Sequence, residues 1–198
     1  VNALVIRDGD VEIDASEEGM ESRYILINDG EVRILAGDDG INISDGSGSK
    51  AAVPGDGSLI INGGTVTVDS QGDGIDSNGN VQINGGYTIV SGTMTGGNAA
   101  LDYDGDCEIN GGVLLLTSFG DMETGVGAAS KQRMASITLS EALAAGTSIE
   151  ISDKDGEVLY TFRNAKQCRY IAVCSPEVTE ESVIHITAAG QIQTAVVR

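Results

Sequence analysis

The sequence predicts an all-β fold, a parallel β-helix of about five coils closed by a small antiparallel β cap. Three observations carry that expectation. A motif of eight residues occurs five times before residue 117, apolar and polar residues alternate within the copies, and glycine and acidic residues crowd into the same region. The 198 residues include 28 Gly, 30 Asp and Glu and 11 Lys and Arg, for a formal charge of −19. Residues 1–127 hold 25 of the Gly, 22 of the acidic and 4 of the basic residues, a net −18, whereas residues 128–198 carry a net −1. The chemistry divides the chain into 1–127 and 128–198, with the small-residue stretch 125–130 (GVGAAS) at the boundary.

The repeat begins at Ile6 to Ile13 (IRDGDVEI) and returns at Ile27 to Ile34 (INDGEVRI), Ile61 to Val68 (INGGTVTV), Ile83 to Val90 (INGGYTIV) and Ile109 to Leu116 (INGGVLLL). The offsets are 21, 34, 22 and 26 residues, the longest absorbing a Gly- and Ser-rich loop, Ser44 to Gly57, that has no apolar period. Alternation with β-branched residues, as in Val66-Thr67-Val68, means a strand with one buried face. Asn-Gly and Asp-Gly pairs bend the chain after the first strand of each unit. A second strand follows, then a turn such as Gln71 to Gly74, then a short third strand around Ile75. Three short strands cannot build a core alone, but stacked copies bury one continuous interior, with neighbouring strands about 4.8 Å apart. A meander of hairpins would not need so regular a repeat.

Beyond the repeats the tail reads as strands over 135–139, 148–152, 157–162, 168–174, 182–187 and 191–197. Asp153 to Gly156 (DKDG) forms a hairpin turn, Pro176 ends a strand, and Ser140 to Ala145 (SEALAA) reads as one helical turn. Of the three Cys, Cys168 and Cys174 share one predicted strand and stand about 20 Å apart if extended. No obligatory disulfide is expected, and no Cys or His spacing suits a transition metal.

The charge excludes whole classes of partner. A polyanion repels nucleic acid and anionic membrane surfaces. The longest apolar runs, such as Val113 to Leu116, are too short to span a bilayer. A hydrophobic content of 40% is too high for simple disorder.

The acidic residues follow the repeat. The turn before each third strand reads Glu17-Glu18-Gly19-Met20-Glu21, Asp38-Asp39-Gly40-Ile41-Asn42 and Gly72-Asp73-Gly74-Ile75-Asp76, with a degenerate copy at Ala99-Ala100-Leu101-Asp102. Stacked in register, these turns raise two columns: Glu18, Asp39 and Asp73, and Glu21, Asn42, Asp76 and Asp102. Carboxylates stacked at strand spacing repel by several kcal/mol, on the order of 3 at an effective dielectric near 20. Hard oxygen donors on turns suit Ca²⁺, and four stacked turns leave gaps for about two to three ions. Asp104 is a candidate further ligand from the alternating stretch DYDGDCE, whose Asp106 and Glu108 read as solvated.

The strings DDGI, INGGTVTV, GDGIDSNG, INGG and ALDYDG, in that order, resemble the secreted β-helix family of carbohydrate-binding domain-containing proteins of anaerobic bacteria. The resemblance covers residues 1–125 and, more weakly, the tail string SPEVTEESVIHITAAG. It implies a right-handed parallel β-helix with calcium between coils, an extracellular or cell-surface location, and binding to polysaccharides such as cellulose and polygalacturonate. The implied metal role falls on Glu18, Glu21, Asp38, Asp39, Asn42, Asp73, Asp76 and Asp102. Ala99 departs from the acidic pattern.

Three functions are compatible with these residues. The first is a non-catalytic binding module for acidic polysaccharide, in which calcium bridges protein and sugar carboxylates. Its ligand-binding residues are unknown from sequence. The chain has no Trp and seven Tyr and Phe, and Tyr87, Tyr103 and Phe119 read as packing at turns. The second is a cell-surface filament subunit, self-associating by strand donation through a segment such as Gln191 to Val197. The third is a calcium-dependent polysaccharide lyase, which needs a basic residue beside the metal. The repeats offer Arg7, Arg23, Arg33 and Lys50 in no recognisable constellation, so no catalytic residues are assigned and no enzyme is expected.

Overall fold

In the computed structural model, residues 2–44, 57–120 and 122–198 are described. Most of the expected long loop, residues 45–56 with Lys50, lies outside them. The described residues form strands and turns. The first repeat holds β1 (Leu4–Ile6), β2 (Asp10–Ser16) and β3 (Met20–Glu21), and the second β4 (Tyr24–Ile27), β5 (Glu31–Ala36) and β6 (Ile41–Ile43). The third holds β7 (Ser58–Ile61), β8 (Thr65–Ser70) and β9 (Ile75–Ser77), and the fourth β10 (Asn80–Ile83), β11 (Tyr87–Ser91) and β12 (Leu101–Tyr103). The fifth holds β13 (Cys107–Ile109) and β14 (Val113–Ser118). The tail adds β15 (Met134–Leu143), β16 (Ser148–Ser152), β17 (Val158–Arg163), β18 (Cys168–Cys174), β19 (His185–Ala188), β20 (Gln191–Thr194) and β21 (Val196–Val197).

The repeats deal their strands to three sheets in rotation. Sheet 1 is ordered β1-β4-β7-β10-β13 and sheet 3 β12-β9-β6-β3, and the repeats' strands in sheet 2 run β2-β5-β8-β11-β14. All of these pairings are parallel and equate the residues that the repeat equates, for example Ile27, Ile61, Ile83 and Ile109. Inward residues of the three sheets share one core, including Ile25, Val32, Ile41, Leu59, Val66 and Ile75. Each fully buried aliphatic side chain contributes roughly 1.5–3 kcal/mol, so the stack of repeats, rather than any one of them, is the unit of stability.

The Asn-Gly turns stack as well. Asn62 Nδ2 donates to Asn28 Oδ1 at 2.9 Å, Asn84 Nδ2 to Asn62 Oδ1 at 2.8 Å, and Asn110 Nδ2 to Asn84 Oδ1 at 3.3 Å. The second Gly of each turn has positive φ, as at Gly64 (79°) and Gly86 (79°), which a side chain would oppose. Replacing Asn84 by Ala removes one donor and one acceptor from the middle of this ladder. Because the ladder is exposed, the expected loss is about 1 kcal/mol, read as a lower urea midpoint at constant m-value.

The tail does more than cover the last repeat. β18 pairs antiparallel with β14, β15 with β18, and β21 with β15, so sheet 2 runs on across residue 128 to eight strands. A separate antiparallel sheet 4, ordered β17-β16-β19-β20, encloses a second core with Val113, Leu115, Ile171 and Val173. β14 is thereby buried on both faces, which accounts for its unbroken apolar run. Tyr87 meets Tyr160 of sheet 4 edge to face, with ring centroids 6.5 Å apart, and Arg169 lies over the Phe119 ring at 5.7 Å. These two aromatics join the repeats to the tail instead of merely filling turns. Lys166 reaches back to Asp69 at 2.7 Å and donates to the Ser70 carbonyl.

Two expectations for the tail are corrected. Ser140 to Ala145 is not a helical turn, because β15 continues to Leu143. A register shift between Thr138 and Leu143 lets both Leu139 and Leu143 reach the second core, so sheet pairing overrides local helix propensity. Gln191 to Val197 is not a spare strand, since Gln191–Thr194 pairs with β19 and Val196–Val197 with β15. Cys107, Cys168 and Cys174 are buried free thiols, and burial pushes them up to about 12, about 11 and about 12 respectively. No helix among the described residues is long and apolar enough to cross a membrane.

Candidate functional site

The acidic turns lie where sheet 3 begins, and parallel pairing puts them in register. Met20, Ile41, Ile75 and Leu101 form one inward column, and Glu21, Asn42, Asp76 and Asp102 form the column beside it. The preceding residues stack through backbone bonds from Gly19 N to the Asp39 carbonyl, Gly40 N to the Asp73 carbonyl and Gly74 N to the Ala99 carbonyl. Glu18, Asp39, Asp73 and Ala99 therefore share a column. The glycine between the columns is required by close approach. A Cβ on Gly74 would strike Val90 Cγ1 and the Ala100 carbonyl oxygen, and one on Gly40 would strike Val68 Cγ1. One turn further out, a Cβ on Gly72 would occupy the space taken by Oδ1 of Asp38 and Asp39.

Carboxylate oxygens of Asp39, Asp73 and Asp76 lie within 4.8 Å of one another. Among the described residues no Lys or Arg forms an ion pair with them. The backbone supplies part of the compensation: Asp73 N donates to Asp39 Oδ1 at 2.7 Å, and Ala99 N donates to Asp73 Oδ1. Burial, with repulsion from Asp39, Asp73, Asp102 and Asp104, pushes Asp76 up to about 7. Burial pushes Asp73 up to about 6 despite its bond from Ala99, and it also raises Asp39. At the outer end of the column, burial and the Asp39 charge push Glu18 up to about 7. The buried oxygens Glu18 Oε2 and Asn42 Oδ1 have no hydrogen-bond partner. Clustered hard oxygens, displaced proton affinities and two unpaired buried oxygens are a donor set that fits a hard divalent cation.

The nine residues singled out from sequence are not equivalent in space. Asp39, Asp73 and Asp76 converge. Glu18 and Asn42 flank them on the side of the first repeat, and Asp102 and Asp104 act on Asp76 from the fourth. Asp102 also accepts from Tyr103 N at 2.9 Å. Glu21, Asp38 and Asp104 are exposed.

One carboxylate escaped the repeat. Glu123 accepts from Ser118 Oγ and, at 3.3 Å, from Ala100 N, and its proton affinity is raised by burial and by the Asp102 charge. It arrives 24 residues after Ala99, about one repeat length, on the segment that stands in for a third strand in the fifth repeat. That spacing was the available signal, but the surrounding string METGVG shares nothing with the earlier turns. Nearby, Thr124 Oγ1 donates to the Leu101 carbonyl and Tyr103 OH to the Gly125 carbonyl, both at 2.8 Å, which fixes the segment over the fourth repeat.

The basic residues considered for lyase chemistry lie elsewhere. Arg33 is in sheet 2 and pairs with Glu31 two residues away, and Arg7 is exposed just beyond β1. His185 contacts Thr194 Oγ1 through Nδ1 at 3.2 Å within sheet 4.

A family model described as "Carbohydrate-binding domain-containing protein" matches residues 1–165, which runs through the five repeats and into the tail as far as the turn after β17. No curated protein and no solved structure matches the chain.

Proposed function

The chain belongs to the family of carbohydrate-binding domain-containing proteins, and from that membership we propose that it is a non-catalytic, extracellular polysaccharide-binding module built as a right-handed parallel β-helix and stabilised by Ca²⁺. The observation that carries the metal part is the convergence of Asp39, Asp73 and Asp76 within 4.8 Å with no cationic side chain paired to them among the described residues. These three would hold the ion, with Glu18, Asn42 and Asp102 beside it. When bound, Ca²⁺ supplies positive charge to a corner whose carboxylates otherwise repel one another. Rotation of strands through three sheets around one core supports the β-helix reading. The sugar-binding part rests on the family, and reduced negative charge at the corner makes an acidic polysaccharide an acceptable partner.

The first strands bear on the filament alternative. β2 is an edge of sheet 2, yet it bulges between Ile13 and Ser16, with Ala15 at φ 58°, and exposes Asp10, Glu12 and Asp14. A bulge and a row of like charges oppose edge-to-edge pairing at this strand.

The test is co-sedimentation of the full chain with insoluble pectin and with cellulose, in millimolar calcium and in excess chelator. Retention on at least one polysaccharide is expected, with pectin retention falling at least tenfold on chelation. Failure to be retained on either in calcium would overturn the binding assignment. Unchanged pectin retention in chelator would overturn the calcium part.

A further inference from the structure

The carbohydrate-binding reading leaves open where a sugar sits, and the structure offers a place that the acidic columns do not. A cleft of about 410 Å³, within the size range of small-ligand sites, opens where Gly120 and Glu123 to Gly125 lie beside the outer end of sheet 2. Its walls carry Arg198, Gln193, Ser136 and Thr138, and Tyr170 and Glu123 also line it.

Arg198 is the informative residue. Its backbone is fixed by reciprocal bonds with Met134, N to O at 2.9 Å and O from N at 3.1 Å. Its guanidinium makes no ion pair among the described residues, in a chain where acidic residues outnumber basic ones 30 to 11. An exposed cation on a residue that lines the cleft, with no acidic partner among the described residues, is a ready counter-charge for a ligand anion. The carboxylate that lines the same cleft is already engaged, since Glu123 accepts from Ser118 Oγ and Ala100 N. The cleft owes part of its shape to Gly120. That residue has φ 87°, and a Cβ there would lie 2.9 Å from Tyr170 Cβ, so only glycine lets the segment run this close to the Tyr170 wall.

We propose that this cleft is a saccharide subsite for a uronate-bearing oligosaccharide, with Arg198 pairing the sugar carboxylate and Gln193, Ser136 and Thr138 meeting its hydroxyls. The proposal rests on the carbohydrate-binding reading and adds the site. A planar guanidinium suits a carboxylate in a bidentate pair, and amide and hydroxyl side chains match a sugar's mixed donors and acceptors. Glu123 ties the cleft to the fourth repeat, which places the subsite at the end of the acidic column rather than on it.

Calorimetric titration of the full chain with trigalacturonate and with cellotriose, in millimolar calcium, tests this. Wild-type protein is expected to bind trigalacturonate and to bind cellotriose at least tenfold more weakly. Arg198→Ala should weaken trigalacturonate binding at least tenfold and Gln193→Ala about threefold to tenfold, while the calcium-induced rise in melting temperature stays at the wild-type value in both. Wild-type affinity in Arg198→Ala, or equal affinity for the two sugars, overturns the subsite and leaves the carbohydrate-binding proposal standing. Absence of binding to any polysaccharide or oligosaccharide by the wild-type chain overturns the carbohydrate-binding proposal itself.

Discussion

In metal-free buffer the melting temperature falls as pH rises from about 4 to about 7, and millimolar Ca²⁺ reverses that trend. The sign follows from the corner carboxylates. Asp76 and Glu18 are pushed up to about 7 and Asp73 to about 6, by burial first and by neighbouring charges second. In the unfolded chain such groups titrate near 4. Between those limits the folded state holds more protons than the unfolded state, so raising the pH withdraws stability. The protonated groups help most below the unfolded value, and that help is lost as the pH passes the folded values. Calcium needs the deprotonated oxygens, so its stabilisation grows across the same window. At a free calcium concentration of about 100 times Kd the gain is about 2.7 kcal/mol. For a domain of this length that corresponds to roughly 5–10 °C. Asp76→Asn removes one repelling charge and one ligand together. It should flatten the metal-free pH slope and abolish most of the calcium shift, both readable by scanning fluorimetry from pH 4 to 8. A melting temperature independent of pH in chelator, with the same calcium response in Asp76→Asn, would contradict the assignment of these carboxylates.

Gly74→Ala costs about 3 kcal/mol, the upper end of what overpacking a well-filled interior costs. The added methyl meets Val90 Cγ1, which can turn, and the Ala100 carbonyl oxygen, which belongs to the next repeat's backbone and cannot yield alone. That oxygen accepts from Ile75 N at 3.1 Å, and Gly74 N donates to the Ala99 carbonyl at 3.0 Å, so relief of the clash strains the bonds joining the third and fourth repeats. The melting temperature should drop by roughly 6–12 °C. Calcium affinity should fall with it, because Asp73 and Asp76 flank the displaced residue. Gly125→Ala is the control: its Cβ would have nothing within 4 Å and its φ is not in the left-handed region, so the expected change is within about 0.5 kcal/mol. Equal stability of the two variants would mean that the turn is not packed as described.

The legible part of the site is the part that repeats. Parallel pairing carries each residue onto its equivalent one repeat away, so identical offsets in the sequence become columns in space. Glu21, Asn42, Asp76 and Asp102 were equated by their turns, and strand pairing equates them again. What the pattern could not rank was depth. Asp38 and Asp39 are adjacent in sequence, but the first is exposed and the second is half-buried beside Asp73. Burial raises the proton affinity of Asp39, and burial depends on packing against other repeats. Ser140 to Ala145 failed for a related reason. Its composition favours a helix locally, but Leu139 and Leu143 are claimed by a core whose other half comes from β14 and β18.

By itself the sequence determined the all-β class, the repeat, its stacking register and the acidic columns, because each depends on a period that a linear string displays directly. Only the tertiary structure decided how the stack ends: β18 pairs onto β14, sheet 4 encloses the outer faces of Val113 and Leu115, Glu123 swings in over Ala100, and Arg198 reaches a cleft with Tyr170. These contacts join segments that share no motif and no fixed spacing. They arise because a finite stack must bury the face and satisfy the strand edge that its last repeat leaves open, and whichever later segments can do so are found by packing rather than by pattern.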